Sequence, residues 1–466
     1  MPVDASHPNQ LTLEIKDLAL DGTGLAQHDG KLVFVSGALP SETATVRITG
    51  QGRGKLHAEI SELQSSSPER RDPVCILAGK CGGCSLLHWQ DQAQSQWKQQ
   101  QLQNTLRRVG RLDCQVDPIR STQAVLGYRN RAIIPVQERD ETVKAGFFQR
   151  GSHQVVNMNH CPVLDPRLDA LIEPLKADLQ ASGWPIYKED TQKGLLRQLV
   201  LRSGVSSGEL LLGLVVRDDQ FTAADELAEQ WMQRWPELVG VVLNIQPKPG
   251  NTLLGQKERL LAGRPWLMES FAGCRFQIGL GTFFQVHHQQ AESLVDALRS
   301  ELQLQAGEVL VDAYCGVGTL GLPLLQEGVR LIGLEQSRDS IERAQCNALL
   351  NGLENTDFHA GAVERRLQEF LPFTDVLLLD PPRKGLDARV CEAIREQPPG
   401  RIAYVSCNPA TLARDLALLC ADQRFELSKV VPFDFFPQTT HIEAMAILTS
   451  SAAQPCSFFP SSDAPC

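Results

Sequence analysis

Cys407 and Glu443 are the two residues of this chain whose types and settings best suit covalent chemistry. Cys407 lies in Ala403-Tyr404-Val405-Ser406-Cys407-Asn408-Pro409, and Glu443 closes His441-Ile442-Glu443. The apolar run predicts a buried strand that delivers a thiol to its C-terminal edge, where Pro409 stops it. In an open α/β sheet that edge is where ligands bind. A thiol and a carboxylate on one rim can attack an electron-poor ring and later remove a proton from it. A lone cysteine is more often a small buried hydrophobe; polar Ser406 and Asn408 beside Cys407 favour chemistry. A free thiol titrates near ~8.5, so a nucleophile here is expected to have its pKa lowered locally.

Three further motifs bear on what such a pair would act with. Asp312-Ala313-Tyr314-Cys315-Gly316-Val317-Gly318-Thr319-Leu320-Gly321 reads as a strand, a Gly-rich turn and a helix, with Glu335 at the end of the next strand. Glycines let backbone approach a nucleotide, and the acid is placed for ribose hydroxyls. The same pattern serves a nicotinamide dehydrogenase and an S-adenosylmethionine (SAM) methyltransferase. Cys315, inside the turn, is expected to be packed. Leu379-Asp380-Pro381-Pro382-Arg383-Lys384-Gly385 predicts a rigid, donor-poor loop suited to a flat ring or a methyl donor. Cys75, Cys81 and Cys84, interleaved with Gly82 and Gly83, and the distant Cys161-Pro162 form an iron–sulfur ligand pattern. A four-cysteine zinc site competes, but it more often uses two paired knuckles.

The elements that must position these residues fall into distinct textures. At 466 residues, two or three domains are expected. Short alternating segments at 11–15, 31–35, 43–48 and 56–60, between Gly-rich turns, predict a small β-barrel over 1–66. A cysteine-rich stretch at 75–84 and an amphipathic helix from about Trp89 to Val109 come next. A mixed β-rich region continues to 285, with strands near 131–137, 198–203, 209–216 and 239–246. From 286 to 450, apolar strands alternating with helical patterns predict a parallel, doubly wound sheet. The Ser/Ala/Pro-rich tail, 451–466, is expected to be disordered.

Composition bounds the function. The chain is 42% hydrophobic and 21% charged. It has no run of about 18 apolar residues, so no membrane span is expected. Thirteen cysteines with no signal-peptide pattern argue for reduced thiols in the cytoplasm. The net charge of −10 is uneven. Residues 1–160 carry 18 Lys+Arg against 16 Asp+Glu, and the remainder 27 against 39. Arg107, Arg108, Arg111, Arg120, Arg129 and Arg131 make a basic segment suited to phosphate.

In this order the motifs resemble the RNA uracil-C5 methyltransferase family, over essentially the whole chain to about residue 450. The resemblance implies an α/β fold: a C-terminal Rossmann-like SAM methyltransferase domain, an N-terminal TRAM-like (OB-like) barrel, and a central β-rich RNA-binding region carrying an Fe–S site. Cys75, Cys81, Cys84 and Cys161 match the [4Fe–4S] ligands of the ribosomal branch. Phe283-Phe284-Gln285-Val286 resembles a family segment whose glutamine contacts SAM. Tyr314, Glu335 and Asp380 fall on SAM-contact positions, as do Thr319 and Ala362 by a looser alignment. Cys407 takes the place of the nucleophile, and Glu443 that of the base.

The resemblance thus implies methylation of C5 of a uridine in 23S rRNA, giving 5-methyluridine, with no obligate protein partner. Barrel and cluster together favour that branch over the tRNA uracil-C5 methyltransferases. His287 stands where relatives usually carry Asn, and Thr319 and Ala362 also replace residues that are often Asn. A nicotinamide oxidoreductase and a non-catalytic RNA-binding protein are the other classes open. A DNA cytosine methyltransferase is disfavoured, because its nucleophile normally sits in a Pro-Cys loop.

Overall fold

The computed structural model describes residues 10–219, 224–250 and 252–451. The tail expected to be disordered lies, from residue 452, outside the described residues. The chain forms two compact units. Residues 1–100, 119–293 and 434–442 make the first; residues 101–118, 294–433 and 443–466 make the second. Among the described residues no helix is long and apolar enough to cross a membrane.

The first unit opens with six short strands: β1 (Gln10–Glu14), β2 (Asp17–Leu18), β3 (Gly24–His28), β4 (Lys31–Ser36), β5 (Thr43–Gly52) and β6 (Lys55–Ser65). They pair in the order β1-β5-β6-β4-β3-β2, with β4 and β6 parallel. Alternation sends Leu13, Val33, Val35, Val46 and Ala58 into one small core. On the other face Phe34 stacks on His57 at 5.5 Å.

Helix α1 (Asp91–Thr105) falls within the span expected from the sequence and then widens into a π turn over Leu106–Gly110. Arg111, left-handed at φ 53°, closes that turn. Leu102, Leu106 and Val116 are part of the core of the second unit.

The central sheet of the first unit is built from β7 (Arg131–Arg139), β8 (Thr142–Ala145), β9 (Leu196–Ser203), β10 (Leu210–Val216), β11 (Leu238–Ile245) and β12 (Lys257–Gly263). Its order is β12-β11-β10-β9-β7-β8, and only β10 and β11 run parallel. Strands β9 and β10 are buried along their whole length. Helices α2 (Pro166–Ser182) and α3 (Ala224–Arg234) contribute Leu168, Leu175 and Trp231 to its core. Asp165 caps α2 by accepting from Arg167 N, and Pro166 occupies the first turn, where no N–H is needed. A hairpin of β13 (Trp266–Phe271) and β14 (Cys274–Gly279) leads to α4 (His288–Leu302).

The second unit alternates β15 (Val309–Ala313), α5 (Gly321–Leu324), β16 (Arg330–Glu335), α6 (Arg338–Leu350), β17 (Thr356–Ala360), α7 (Val363–Phe370), β18 (Val376–Leu379), α8 (Ala388–Glu396), β19 (Arg401–Ser406) and α9 (Pro409–Leu419), then ends in β20 (Phe425–Phe433) and β21 (Glu443–Ser450). The sheet order is β17-β16-β15-β18-β19-β21-β20. The first five of these are parallel to one another, while β21 is antiparallel to both β19 and β20. The chain winds outward from β15 to β17, then returns to place β18 against the other side of β15. That reversal opens a crevice at the carboxyl ends of β15 and β18, where such sheets bind ligands.

Candidate active site

Sheet register alone brings most of the sequence-predicted residues to one rim. Ala313 pairs with Leu379, and Leu379 with Tyr404. Tyr314, Asp380 and the end of β19 therefore leave the sheet side by side. Glu335 closes β16 opposite Ala360, and Gly361 N donates to its carbonyl at 2.9 Å. Ala362, at the same edge, is the N-cap of α7 and has no side-chain acceptor to offer. Thr319 is buried inside the Gly-rich turn, and Cys315 is packed there as expected.

The antiparallel strand completes the pair. Ser406 is opposite Ala444, so Glu443 enters the sheet where Cys407 leaves it. Parallel β21 would have put the carboxylate at the far end of the strand. Asn408 caps α9 through Ala410 N at 3.0 Å, and Pro409 opens that helix. This is the physical reason the Ser-Cys-Asn-Pro run ends the strand cleanly and leaves Cys407 half-buried on the rim.

The electrostatics correct one expectation. The Cys407 thiol is not lowered: burial, Glu443 and Asp380 push it up to about 11, with Arg383 acting against them. Burial and Asp380 push the Glu443 carboxyl up to about 8, again opposed by Arg383. Burial raises Asp380 to about 7, and burial with Asp380 and Glu335 raises Asp312 to about 8. The sequence reading weighed the thiol by its neighbours in the chain; the carboxyls that dominate arrive from β18 and β21.

The Gly-rich turn fits a nucleoside-bearing ligand. Tyr314 is left-handed at φ 70°, and its hydroxyl is buried without a hydrogen-bond partner. Gly316 is also left-handed, at φ 56°, and a Cβ built on it meets nothing within 4 Å. The turn thus leaves open space in front of bare backbone, beside Glu335 and Asp380. Gly316→Val would strain that turn and fill the space. Isothermal titration should show SAM affinity at least about tenfold weaker in this variant.

Gln285 belongs to the first unit, where its side chain is buried and its carbonyl accepts from Asn130 Nδ2 at 3.0 Å. His287 does there what an asparagine would do at a helix start. Its Nδ1 accepts from Gln290 N at 3.4 Å and its carbonyl from Ala291 N at 3.0 Å. Its ring stacks on Tyr128 at 4.6 Å, and burial pushes its pKa down to about 4, leaving it neutral.

The same unit holds a network that sequence reasoning missed. Gln438, fully buried at φ 70°, donates to Asp91 and accepts from Arg71 and Gln94. Lys98 Nζ, equally buried, donates to Asp434 at 2.6 Å and to the Phe436 carbonyl at 3.0 Å. These bonds fix the segment that ends one residue before Glu443. A Gln directly after Phe435-Phe436-Pro437 and shortly before Glu443 was the available signal.

Cys75, Cys81, Cys84 and Cys161 line one cavity of about 600 Å³ in the first unit, with Arg129 and Arg150 on its wall. Burial and the other three thiols push Cys84 up to about 12. Among the described residues, however, no three His, Cys, Asp or Glu side chains converge closely enough to hold a single metal ion.

Comparison with known proteins agrees with this architecture. The tRNA (Uracil-5-)-methyltransferase family matches residues 275–451, and the TRAM domain matches residues 9–60. The chain is 46% identical over 452 residues to an uncharacterized RNA methyltransferase of Parasynechococcus marenigrum, covering 96% of this chain and 97% of the relative. It is 35% identical to one of Halalkalibacterium halodurans, covering 96% and 98%. The crystal structure of Pyrococcus abyssi tRNA (uracil-54, C5)-methyltransferase in complex with S-adenosyl-L-homocysteine superposes with a TM-score of 0.76 at 25% identity, covering 94% of this chain and 100% of that one. The chain belongs to the RNA uracil-5-methyltransferase family, with the SAM-dependent methyltransferase fold and an N-terminal TRAM domain.

Proposed function

We propose that this protein methylates C5 of a uridine in 23S rRNA, with Cys407 as nucleophile and Glu443 as base. The observation that carries the reading is the register that sets Glu443 beside the exit of Cys407. C5 of uracil is a poor nucleophile. Addition of the Cys407 thiolate to C6 breaks the ring's conjugation and leaves enolate density on C5, which can then accept a methyl group. SAM supplies that methyl, and with it a positive charge; Tyr314, Gly316, Thr319, Glu335, Ala362 and Asp380 would hold it. Glu443 removes the C5 proton, and departure of the thiolate restores the double bond. The target base must be extruded from its stack to reach the rim.

The raised pKa values predict the pH dependence. Both groups must lose a proton, and both hold it more tightly than usual. Activity as kcat/KM for SAM, which reports the protein before the donor binds, should therefore climb through neutrality, with a rising limb near the Glu443 value of about 8. A flat profile from pH 6.5 to 9 would contradict these assignments.

The cysteine-lined cavity supports a [4Fe–4S] cluster on Cys75, Cys81, Cys84 and Cys161. Four thiols spread around a space suit a multi-atom cluster better than one zinc ion, which needs every sulfur within about 2.3 Å. Methyl transfer consumes no electron, so the cluster's role would be to hold the Cys-rich segment against the segment around Phe148, to which Cys81 is bridged at Gln149. Protein purified without oxygen should contain about four irons and four sulfides per chain. Stoichiometric zinc instead would replace the cluster in this scheme. Reduced thiols also fit a cytoplasmic location.

The barrel with the thiol cavity supports the ribosomal substrate; the likeness to the P. abyssi tRNA (uracil-54, C5)-methyltransferase favours a tRNA uridine as the second reading. Mass mapping of 5-methyluridine in both RNAs from a deletion strain separates them. Loss from 23S rRNA supports the proposal, and loss from tRNA alone replaces it.

A further inference from the structure

The loop after β18 carries Asp380 and Arg383, whose charges act in opposite directions on Cys407 and Glu443. Little apolar packing holds the tip of this loop, since Pro382, Arg383 and Lys384 are exposed. Its backbone is instead held by side chains from α9. Asn408 Nδ2 donates to the Arg383 carbonyl at 3.0 Å, joined by Thr411 Oγ1 at 3.4 Å. Arg414 Nη2 donates to the carbonyls of both Lys384 and Leu386 at 3.1 Å.

Asp415 joins these parts. It is fully buried, and its Oδ2 accepts from Leu386 N at 2.8 Å and from the Tyr404 hydroxyl at 2.7 Å. Its Oδ1 accepts from Arg414 Nε at 2.7 Å. Tyr404 lies on β19, three residues before Cys407. One carboxylate therefore ties the strand that delivers the thiol, the loop that carries the opposing charges, and the arginine that grips that loop. Gly385 shows how closely they approach: left-handed at φ 74°, it would place a Cβ 2.5 Å from Asp415 Oδ2.

We propose that Asp415 is a positioning residue for the reaction, holding the Asp380–Gly385 loop, and so the Arg383 guanidinium, in register with Cys407. The bland alternative is a polar staple that only stabilises the packing of α9 on the sheet. Burying a charge costs enough that an apolar contact would serve that purpose as well. A positioning role requires the loop's charges to move relative to the thiol when Asp415 is changed. The charged groups that act on the thiol are Glu443, Asp380 and Arg383.

The inference rests on the reading of Cys407 as nucleophile, and the test keeps the two apart. The rate of Cys407 alkylation by iodoacetamide is followed against pH by peptide mass spectrometry in the full-length protein. In Asp415→Asn the midpoint should rise by about half a unit or more, as the opposing cation loosens. kcat should fall at least about tenfold, with the KM for SAM within twofold. Arg383→Gln should raise the midpoint similarly, and the double variant should add little to either change. If Asp415→Asn fails to fold, Arg414→Gln, at a half-exposed position, loosens the same carbonyls and should give the same shift. An unchanged alkylation midpoint in the folded variant, with only a lowered melting temperature, would overturn the positioning role. Activity surviving in Cys407→Ala would instead overturn the nucleophile and leave the alkylation result standing.

Discussion

Cys407→Ala should reduce methylation by on the order of 10⁴-fold or more while SAM still binds within a few-fold of wild type. The size follows from what the thiol does. Without addition at C6, C5 has no enolate density, and no other group on the rim can replace a covalent bond. Burial raises Asp380 to about 7 and Glu443 to about 8, so each holds its proton more tightly than an ordinary carboxyl, and a carboxyl is a far weaker nucleophile than a thiolate. Retention of SAM binding follows from the sheet order. Cys407 leaves β19, whereas the left-handed Tyr314 and Gly316 follow β15, with β18 between them. Calorimetric titration with SAM and a tritium-release assay on transcribed rRNA fragments check both halves. Full turnover would remove Cys407 from the mechanism; loss of SAM binding together with activity would make it a structural thiol of the rim.

The thiol's high pKa asks how addition occurs at all near neutrality. The rim gathers Asp312, Asp380, Glu443 and Cys407, each with its pKa raised by burial and three of them further by neighbouring acids. A positive charge brought among them favours their ionised forms. At about 5 Å and an effective dielectric near 20, one unit charge contributes roughly 3 kcal/mol, or about two pKa units. The same environment that suppresses the free thiolate is thus suited to a cationic methyl donor, and it keeps the cysteine unreactive until donor and base are both present.

How much of this was legible in the sequence follows from where each signal lives. Four of the six barrel strands, β1, β4, β5 and β6, and four of the five parallel strands could be read because alternation and continuous apolar runs record which faces are buried; β2, β3 and β17 were missed. Tyr314, Glu335, Asp380 and Cys407 could be placed on one rim because each ends a parallel strand, and parallel strands share a carboxyl edge. The joining of Glu443 to that rim could not be derived from pattern, since it depends on β21 inserting antiparallel between β19 and β20. The raised pKa of Cys407 was missed for the same reason: its causes lie on other strands. Asp415 was invisible, because an Asp inside Leu412-Ala413-Arg414-Asp415-Leu416 reads as one polar residue on a helix, with nothing to show that Tyr404 and Leu386 meet it. Gln438 and Lys98 likewise gain meaning only from partners hundreds of residues away.

Glu443→Gln should separate the two halves of the reaction and accumulate a covalent RNA–protein adduct, seen as a slow band on a denaturing gel. Addition and methyl transfer need Cys407 and SAM, so both can proceed in the variant. Only removal of the C5 proton is blocked, and without it the thiolate cannot leave with the double bond restored. Glutamine preserves the size of the side chain at the first position of β21, so the pairing of Ser406 with Ala444 that sets the geometry should persist. It also removes one of the charges that raise the Cys407 thiol. The rate of adduct formation should therefore match or exceed the wild-type addition step at a given pH, while turnover falls at least about 10³-fold. That combination is specific: a mere packing defect at Glu443 would slow adduct formation and turnover together. Wild-type turnover with no adduct would release Glu443 from the role of base, and the search for the proton acceptor would then move to Asp380, a carboxyl that acts on both Glu443 and Cys407.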